Sequence, residues 1–235
     1  MLFRSESSET ISPADIEAAF SYIENHPEIW EVIITGGDPL ILKPATIRSI
    51  VQRLNAISHV EVIRIHTRIP IVEPARINDE MIAALTSKKP IYIAVHANHA
   101  KEFSPEGISA LATLAQAGIS LVSQTTLLKG VNDNINALGD LMRVFVKHRV
   151  KPYYLHHPDL AKGTSHFRVS IKEGQALMQQ LRGRFSGLCQ PTYMLDIPGG
   201  YGKVPIGPQY LHQCGEGGEC QVEDYQRRVH RYHEQ

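Results

Sequence analysis

The chain has 235 residues, enough to bury one sizeable core. Acidic and basic residues balance at 24 each, a composition that gives no footing to nucleic-acid binding or to an anionic membrane surface. No apolar run is long enough to span a bilayer, and the opening Met1-Leu2-Phe3-Arg4 lacks the apolar stretch of a signal peptide. The expectation is a cytoplasmic chain that does not contact a membrane.

In chain order, helical and strand-like segments alternate. Ser12-Pro13-Ala14-Asp15 places a cap, a first-turn proline and an acidic third residue at the start of the first helix. Short β-rich runs then begin near Glu31, Val60, Pro90, Ile119 and Val150, roughly thirty residues apart, the size of a βα unit. Between them Ser104-Pro105-Glu106 opens a helix that Gly118 closes, and Ser170 to Glu173 is a capping box. Strands alternating with helices predict an α/β fold with a parallel sheet. The Val/Ile-rich runs suggest strands buried on both faces. Five strands are too few for a closed eight-stranded barrel, so a partial (β/α) barrel or an open doubly wound sheet is expected. The boundaries are taken as 1–188 for the partial barrel and 189–235 for a C-terminal segment, with no linker between them. From Cys189 to Tyr210 this segment is rich in Gly and Pro, and its tail reads either as a small hairpin or as irregular chain.

Each strand-like run ends in a polar cluster: Thr35-Gly36-Gly37-Asp38, His66-Thr67-Arg68, His96-Ala97-Asn98-His99, Ser123-Gln124-Thr125-Thr126 and His156-His157-Pro158-Asp159. Parallel α/β folds gather ligands at strand C-termini. Such loops are often polar merely to cap helices, but five together point to a site without naming its reaction. Gly36-Gly37 lets a ligand approach the backbone closely. Lys203, in a glycine-rich loop, reads as a phosphate contact, a Schiff-base nucleophile or a surface lysine, with the surface reading favoured by spacing alone. Cys189, Cys214 and Cys220 read as free thiols in a reducing compartment, and no residue is assigned as a metal ligand.

Six segments carry a family resemblance: EVIITGGDPLIL, RIHTRIPIVEPARI, AVHANH, QTTLLKGVND, YYLHHPDLAKGTSHFR and PTYMLDIPGGYGKVPIGPQY. In this order they resemble the lysine 2,3-aminomutase family of radical S-adenosylmethionine (SAM) enzymes dependent on pyridoxal phosphate (PLP), which includes the lysine aminomutases of elongation factor P. The resemblance implies a radical-SAM-type partial barrel and a shift of the lysine amino group from C2 to C3, giving β-lysine. The lysine would be free or part of a protein. It gives Gly36, Gly37 and Asp38 to S-adenosylmethionine, with His96 and Gln124 lining the same cofactor. Lys203 corresponds to the lysine that forms the Schiff base with pyridoxal phosphate. Asp159 and Asp196 correspond to carboxylates that hold the substrate ammonium, and Arg4 to the arginine that grips its carboxylate.

The family also uses a [4Fe–4S] cluster held by Cys-x-x-x-Cys-x-x-Cys, which this sequence lacks. Leu2-Phe3-Arg4 stand where the last cysteine and its followers are expected, so the first barrel strand and the cluster loop are expected to be missing. Three readings follow: an aminomutase from which the cluster segment is missing, an inactive paralogue that binds PLP or SAM, or one half of a split enzyme completed by a cysteine-bearing partner chain. A homo-oligomer is compatible with each.

Overall fold

The structure, a computed structural model, describes residues 12–215 and 218–233. It divides into two compact units. Among the described residues, one comprises 12–97 with Lys101–Ser123 and His148–Val150; the other comprises Asn98–Ala100, Gln124–Lys147 and those from Lys151 on.

The first unit begins with α1 (Pro13–Glu24), capped as expected: the Ser12 hydroxyl accepts from the Asp15 amide, and the Asp15 carboxylate accepts from the Ser12 amide. Then come β1 (Glu31–Ile34), α2 (Pro44–Ala56), β2 (Val62–Thr67), the single-turn α3 (Ile69–Val72), α4 (Asp79–Ala84), β3 (Ile91–His96) and α5 (Pro105–Gln116). Its core is aliphatic: Ile47, Val51 and Leu54 of α2, Ile63 and Ile65 of β2, Ile93 and Val95 of β3, and Leu111 and Leu114 of α5 are all buried. β2 alternates instead of being buried on both faces. Ile63, Ile65 and Thr67 are buried, while Arg64 and His66 on the other face are half-buried. The reason is polar: Arg64 reaches Glu31 of β1 at 3.2 Å, a pair that an apolar layer on that face would strand.

β4 (Ser120–Thr126) leads to α6 (Ile135–Lys147), β5 (Val150–His156), α7 (Ile171–Arg184), β6 (Thr192–Asp196), β7 (Lys203–Pro205), β8 (Leu211–Cys214), β9 (Glu219–Glu223) and β10 (Val229–His233). In the second unit Leu138, Leu141, Met142 and Phe145 of α6 are buried, as are Leu177 and Leu181 of α7, Leu155 of β5 and Tyr193 of β6. α7 carries the expected capping box, Ser170 with Glu173.

Strands β1 to β7 lie in the sheet in chain order. β1–β2, β2–β3 and β5–β6 pair in parallel, and β7 returns antiparallel to β6. A doubly wound sheet reverses its order at a switch point. The unreversed order is that of a (β/α) barrel, so the fold is the α/β partial barrel and not the open alternative.

The C-terminal part adds to the expectations and corrects one of them. The Gly/Pro-rich stretch holds a sixth parallel strand, β6, and its antiparallel neighbour β7. The tail is ordered as a three-stranded antiparallel sheet, β10-β9-β8, held on α7 by the Gln179 bond to Glu223 at 2.9 Å and the Arg227 bond to Gln179 at 3.0 Å. Cys214 and Cys220 are joined in a disulfide, not free, because the β8–β9 register sets them opposite one another. Cys189 is a buried thiol whose pKa burial pushes up. Among the described residues no helix is long and apolar enough to cross a membrane.

Candidate functional site

In the first unit the chain leaves β1 through two exposed glycines with positive φ, Gly36 at 90° and Gly37 at 53°. A Cβ on either would meet nothing within 4 Å, so the requirement there is backbone conformation and not space. Asp38 follows and caps the short turn Pro39–Ile41. One of its carboxylate oxygens accepts from the Leu40 amide (3.1 Å) and the Thr67 hydroxyl (2.6 Å), and the other accepts from the Arg68 amide (2.6 Å). Asp38 thereby ties the end of β1 to the end of β2. The Thr67 hydroxyl in turn accepts from the Ile69 amide at 3.0 Å, and Arg68 pairs with Glu102 at 2.9 Å. Sequence reading assigned Asp38 to a cofactor; the structure brings Gly36, Gly37 and Asp38 together but engages both Asp38 oxygens with the chain's own donors. His96 ends β3 and is half-buried.

In the second unit Gln124 is half-buried on β4. The turn after β4 is set by a buried amide that sequence reading passed over. Asn132 donates to the carbonyls of Asn98 (2.8 Å) and Thr126 (2.9 Å) and accepts from the Leu128 amide (2.7 Å). Asn98 accepts from the Thr126 amide at 2.9 Å. This part of the strand-end polarity holds loops in place.

The most reactive grouping lies where β5, β6 and β7 meet. Register places Asp196, the last residue of β6, directly opposite Lys203, the first of β7. The turn between them uses Gly199, Gly200 and Gly202, all at positive φ, and closes with the Ile197 amide on the Gly202 carbonyl at 2.9 Å. The Lys203 ammonium donates to Asp196 Oδ1. The other oxygen, Oδ2, meets Nδ1 of His156, the last residue of β5, at 3.1 Å. A carboxylate only accepts, so Nδ1 is the protonated ring nitrogen. His156 is 8% exposed, whereas the Lys203 side chain is 48% exposed and that of Asp196 32%.

Burial, and then the Lys203 charge, hold the His156 pKa below its ordinary value against the opposing pull of Asp196 and Asp159; the imidazole is neutral at neutral pH. Burial raises the Asp196 pKa, but the hydrogen bond and charge of Lys203, followed by those of His156, outweigh it and the net shift is downward. Asp159 is exposed on the loop after β5, within electrostatic reach of His156 and His157. His157 is fixed separately, Nδ1 to the hydroxyl of buried Tyr193 at 2.7 Å. The structure thus brings Asp196 and Lys203 together and adds His156, which sequence reading placed in a strand-end cluster without a role, while Asp159 reaches this group only through its charge on His156. Arg4 lies outside the described residues.

A neutral imidazole, a paired carboxylate and a reachable primary amine can bind an ammonium and condense with an aldehyde. They do not form a metal site: among the described residues no group of three or more His, Cys, Asp or Glu could hold an ion.

The family model described as Lysine-2,3-aminomutase matches residues 178–224, a span that includes Asp196, the glycine turn and Lys203. The chain is 40% identical to the L-lysine 2,3-aminomutase of Acetoanaerobium sticklandii over 209 residues, which is 89% of this chain and 50% of that protein. It is 42% identical to that of Methanococcus maripaludis over 211 residues, 90% of this chain and 49% of the relative. The glutamate 2,3-aminomutase of Clostridioides difficile is 40% identical over 204 residues, 87% of this chain and 48% of its own length. The chain spans about half the length of the curated relatives it matches. Over nearly its whole length the chain is thus similar to about half of each of these 2,3-aminomutases.

Proposed function

We propose that this chain carries the pyridoxal-phosphate and substrate-ammonium half of an aminomutase that moves the α-amino group of lysine, free or protein-bound, to C3. The observation that carries the reading is Lys203, a half-exposed amine on a glycine turn, opposite Asp196 across a β ladder. In this reading Lys203 holds the cofactor, and Asp196 and Asp159 take the substrate's side-chain ammonium. Two carboxylates attract an ammonium and repel a carboxylate, so lysine is favoured over an acidic amino acid such as glutamate. Arg4 would grip the substrate carboxylate.

The residues present suit pyridoxal phosphate, since Lys203 is reachable and needs only its amine; when bound, the cofactor supplies the electron-delocalising ring on which an amino group can migrate. The exposed backbone at Gly36 and Gly37, at the end of β1, suits the polar end of S-adenosylmethionine. The cysteines do not suit a [4Fe–4S] cluster. Cys189 is buried, and Cys214 and Cys220 are paired with each other.

That misfit favours a second reading in which the chain binds its organic cofactors but turns over only with cluster cysteines from elsewhere, whether a missing segment or a partner chain. The polypeptide alone is expected to form no β-lysine when supplied with lysine, both organic cofactors, iron and sulfide under reducing conditions; product formation would overturn this. Cofactor attachment is tested by incubation with pyridoxal phosphate, borohydride reduction and peptide mapping. Label concentrated at Lys203 and lost in Lys203→Met is expected. Label spread over surface lysines, unchanged in that variant, contradicts the assignment.

A further inference from the structure

The carboxylate assigned above to the substrate ammonium already holds one. Asp196 Oδ1 is taken by Lys203, and Oδ2 by His156 Nδ1. We propose that Lys203 is a resident stand-in for the substrate ammonium, closing Asp196 to outside amines until its own amine is engaged elsewhere, while His156 positions Asp196 for either occupant. This rests on reading Asp196 as the ammonium site, and it adds an order of events: whatever takes up the Lys203 amine opens Asp196.

Three features support an exchangeable occupant. First, the pairing is built into the fold, because Asp196 and Lys203 are register partners and the ion pair needs no backbone rearrangement. Second, the pair is loose. Both side chains are partly exposed, where water screens the attraction, so a rotation of the lysine stem releases it. Third, the partner on Oδ2 is of a different kind. His156 is buried on β5, and an imidazole without charge does not compete as a second cation. It fixes the orientation of the carboxylate and leaves Oδ1 as the position where a cation is held. Because coupling between two occupants is reciprocal, an ammonium ligand that displaces Lys203 also frees its amine.

The test is a chemical-shift titration of the full chain with L-lysine, and with norleucine, which has the same carbon chain but no side-chain ammonium. Lys203→Met is expected to bind L-lysine roughly two- to fivefold more tightly than the unaltered chain, the range set by losing one partly exposed ion-pair competitor. Norleucine should bind both forms equally and weakly. Adding Asp196→Asn to Lys203→Met should remove the gain. Adding His156→Asn, whose amide nitrogen takes the place of Nδ1, should retain most of it, and His156→Leu should lose it. Equal lysine affinity with and without Lys203, both dependent on Asp196, overturns the stand-in while leaving the ammonium site intact. Lysine binding no tighter than norleucine in every form overturns the ammonium site itself. Equal effects of His156→Asn and His156→Leu remove the positioning role.

Discussion

Asp38 in the first unit and Asp196 in the second both stand at the C-terminal side of a parallel strand, and they do opposite jobs. Asp38 is met by two backbone amides and a hydroxyl, donors that cannot leave without unmaking the loop. Asp196 is met by a neutral imidazole and a half-exposed ammonium, one of which can swing away. A carboxylate bound by fixed neutral donors is part of the scaffold. One bound by a movable cation can exchange its partner, as the proposed ammonium site requires. The partners of an aspartate, more than its place on the strand, tell the two apart.

The largest effect expected from this contrast is at Asp38. Asp38→Ala leaves three donors without their acceptor and should lower the unfolding free energy by about 3 kcal/mol, read from urea denaturation. A loss below about 1 kcal/mol would mean that water replaces the carboxylate and that Asp38 is not scaffold.

Next come two glycines that fail alanine for different reasons. At Gly174 of α7 a Cβ would lie 2.1 Å from the hydroxyl of Tyr193, itself buried and held by His157, so Gly174→Ala should cost about 2 kcal/mol through overpacking. At Gly37 there is room, and Gly37→Ala should cost only about 1 kcal/mol, the strain of a positive φ. Equal costs would blur the distinction between space and conformation.

Asp196→Asn should be smaller still in stability, under about 1 kcal/mol, since its ion pair is partly exposed. The smallest effect is in pH dependence. The folded chain protonates His156 at lower pH than the unfolded chain does, so its contribution is complete above 6.5 and is lost as pH falls through the folded value. Asp196, also lowered, acts in the same direction further down, present above 3.8 and lost as pH falls through its folded value. His156→Asn should flatten the stability profile just below pH 6.5. An unchanged slope there would mean that His156 is not held neutral.

Much of this was legible in the sequence because it is local. The caps at Ser12, Ser104 and Ser170 form as their spacing indicates, and the βα rhythm gives the class and the places of the first five strands along the chain, though not their unreversed order in the sheet. The glycines beside Asp38 and before Lys203 announce turns that only positive φ can make. What was hidden is long-range. β6 has a short apolar run, Tyr193-Met194-Leu195, between Pro191 and Pro198, and its strand character comes from pairing with β5 and β7, not from its own pattern. His156 and Asp196 are 40 residues apart, and only the parallel register of β5 and β6 makes them partners. The two tail cysteines were read through a compartment argument that carries no geometry, whereas the hairpin register brings their Cα atoms to 4.0 Å.

The most direct test of the contrast is to compare Asp38→Asn and Asp196→Asn side by side, measuring urea midpoint and borohydride-trapped pyridoxal phosphate at Lys203 for each. The account predicts a lowered midpoint for the first with no such drop in the second, and a changed yield at Lys203 for the second at an essentially unaltered midpoint. A lowered midpoint for Asp196→Asn, with Lys203 labelled as in the unaltered chain, would contradict it, making Asp196 scaffold and Lys203 a surface lysine.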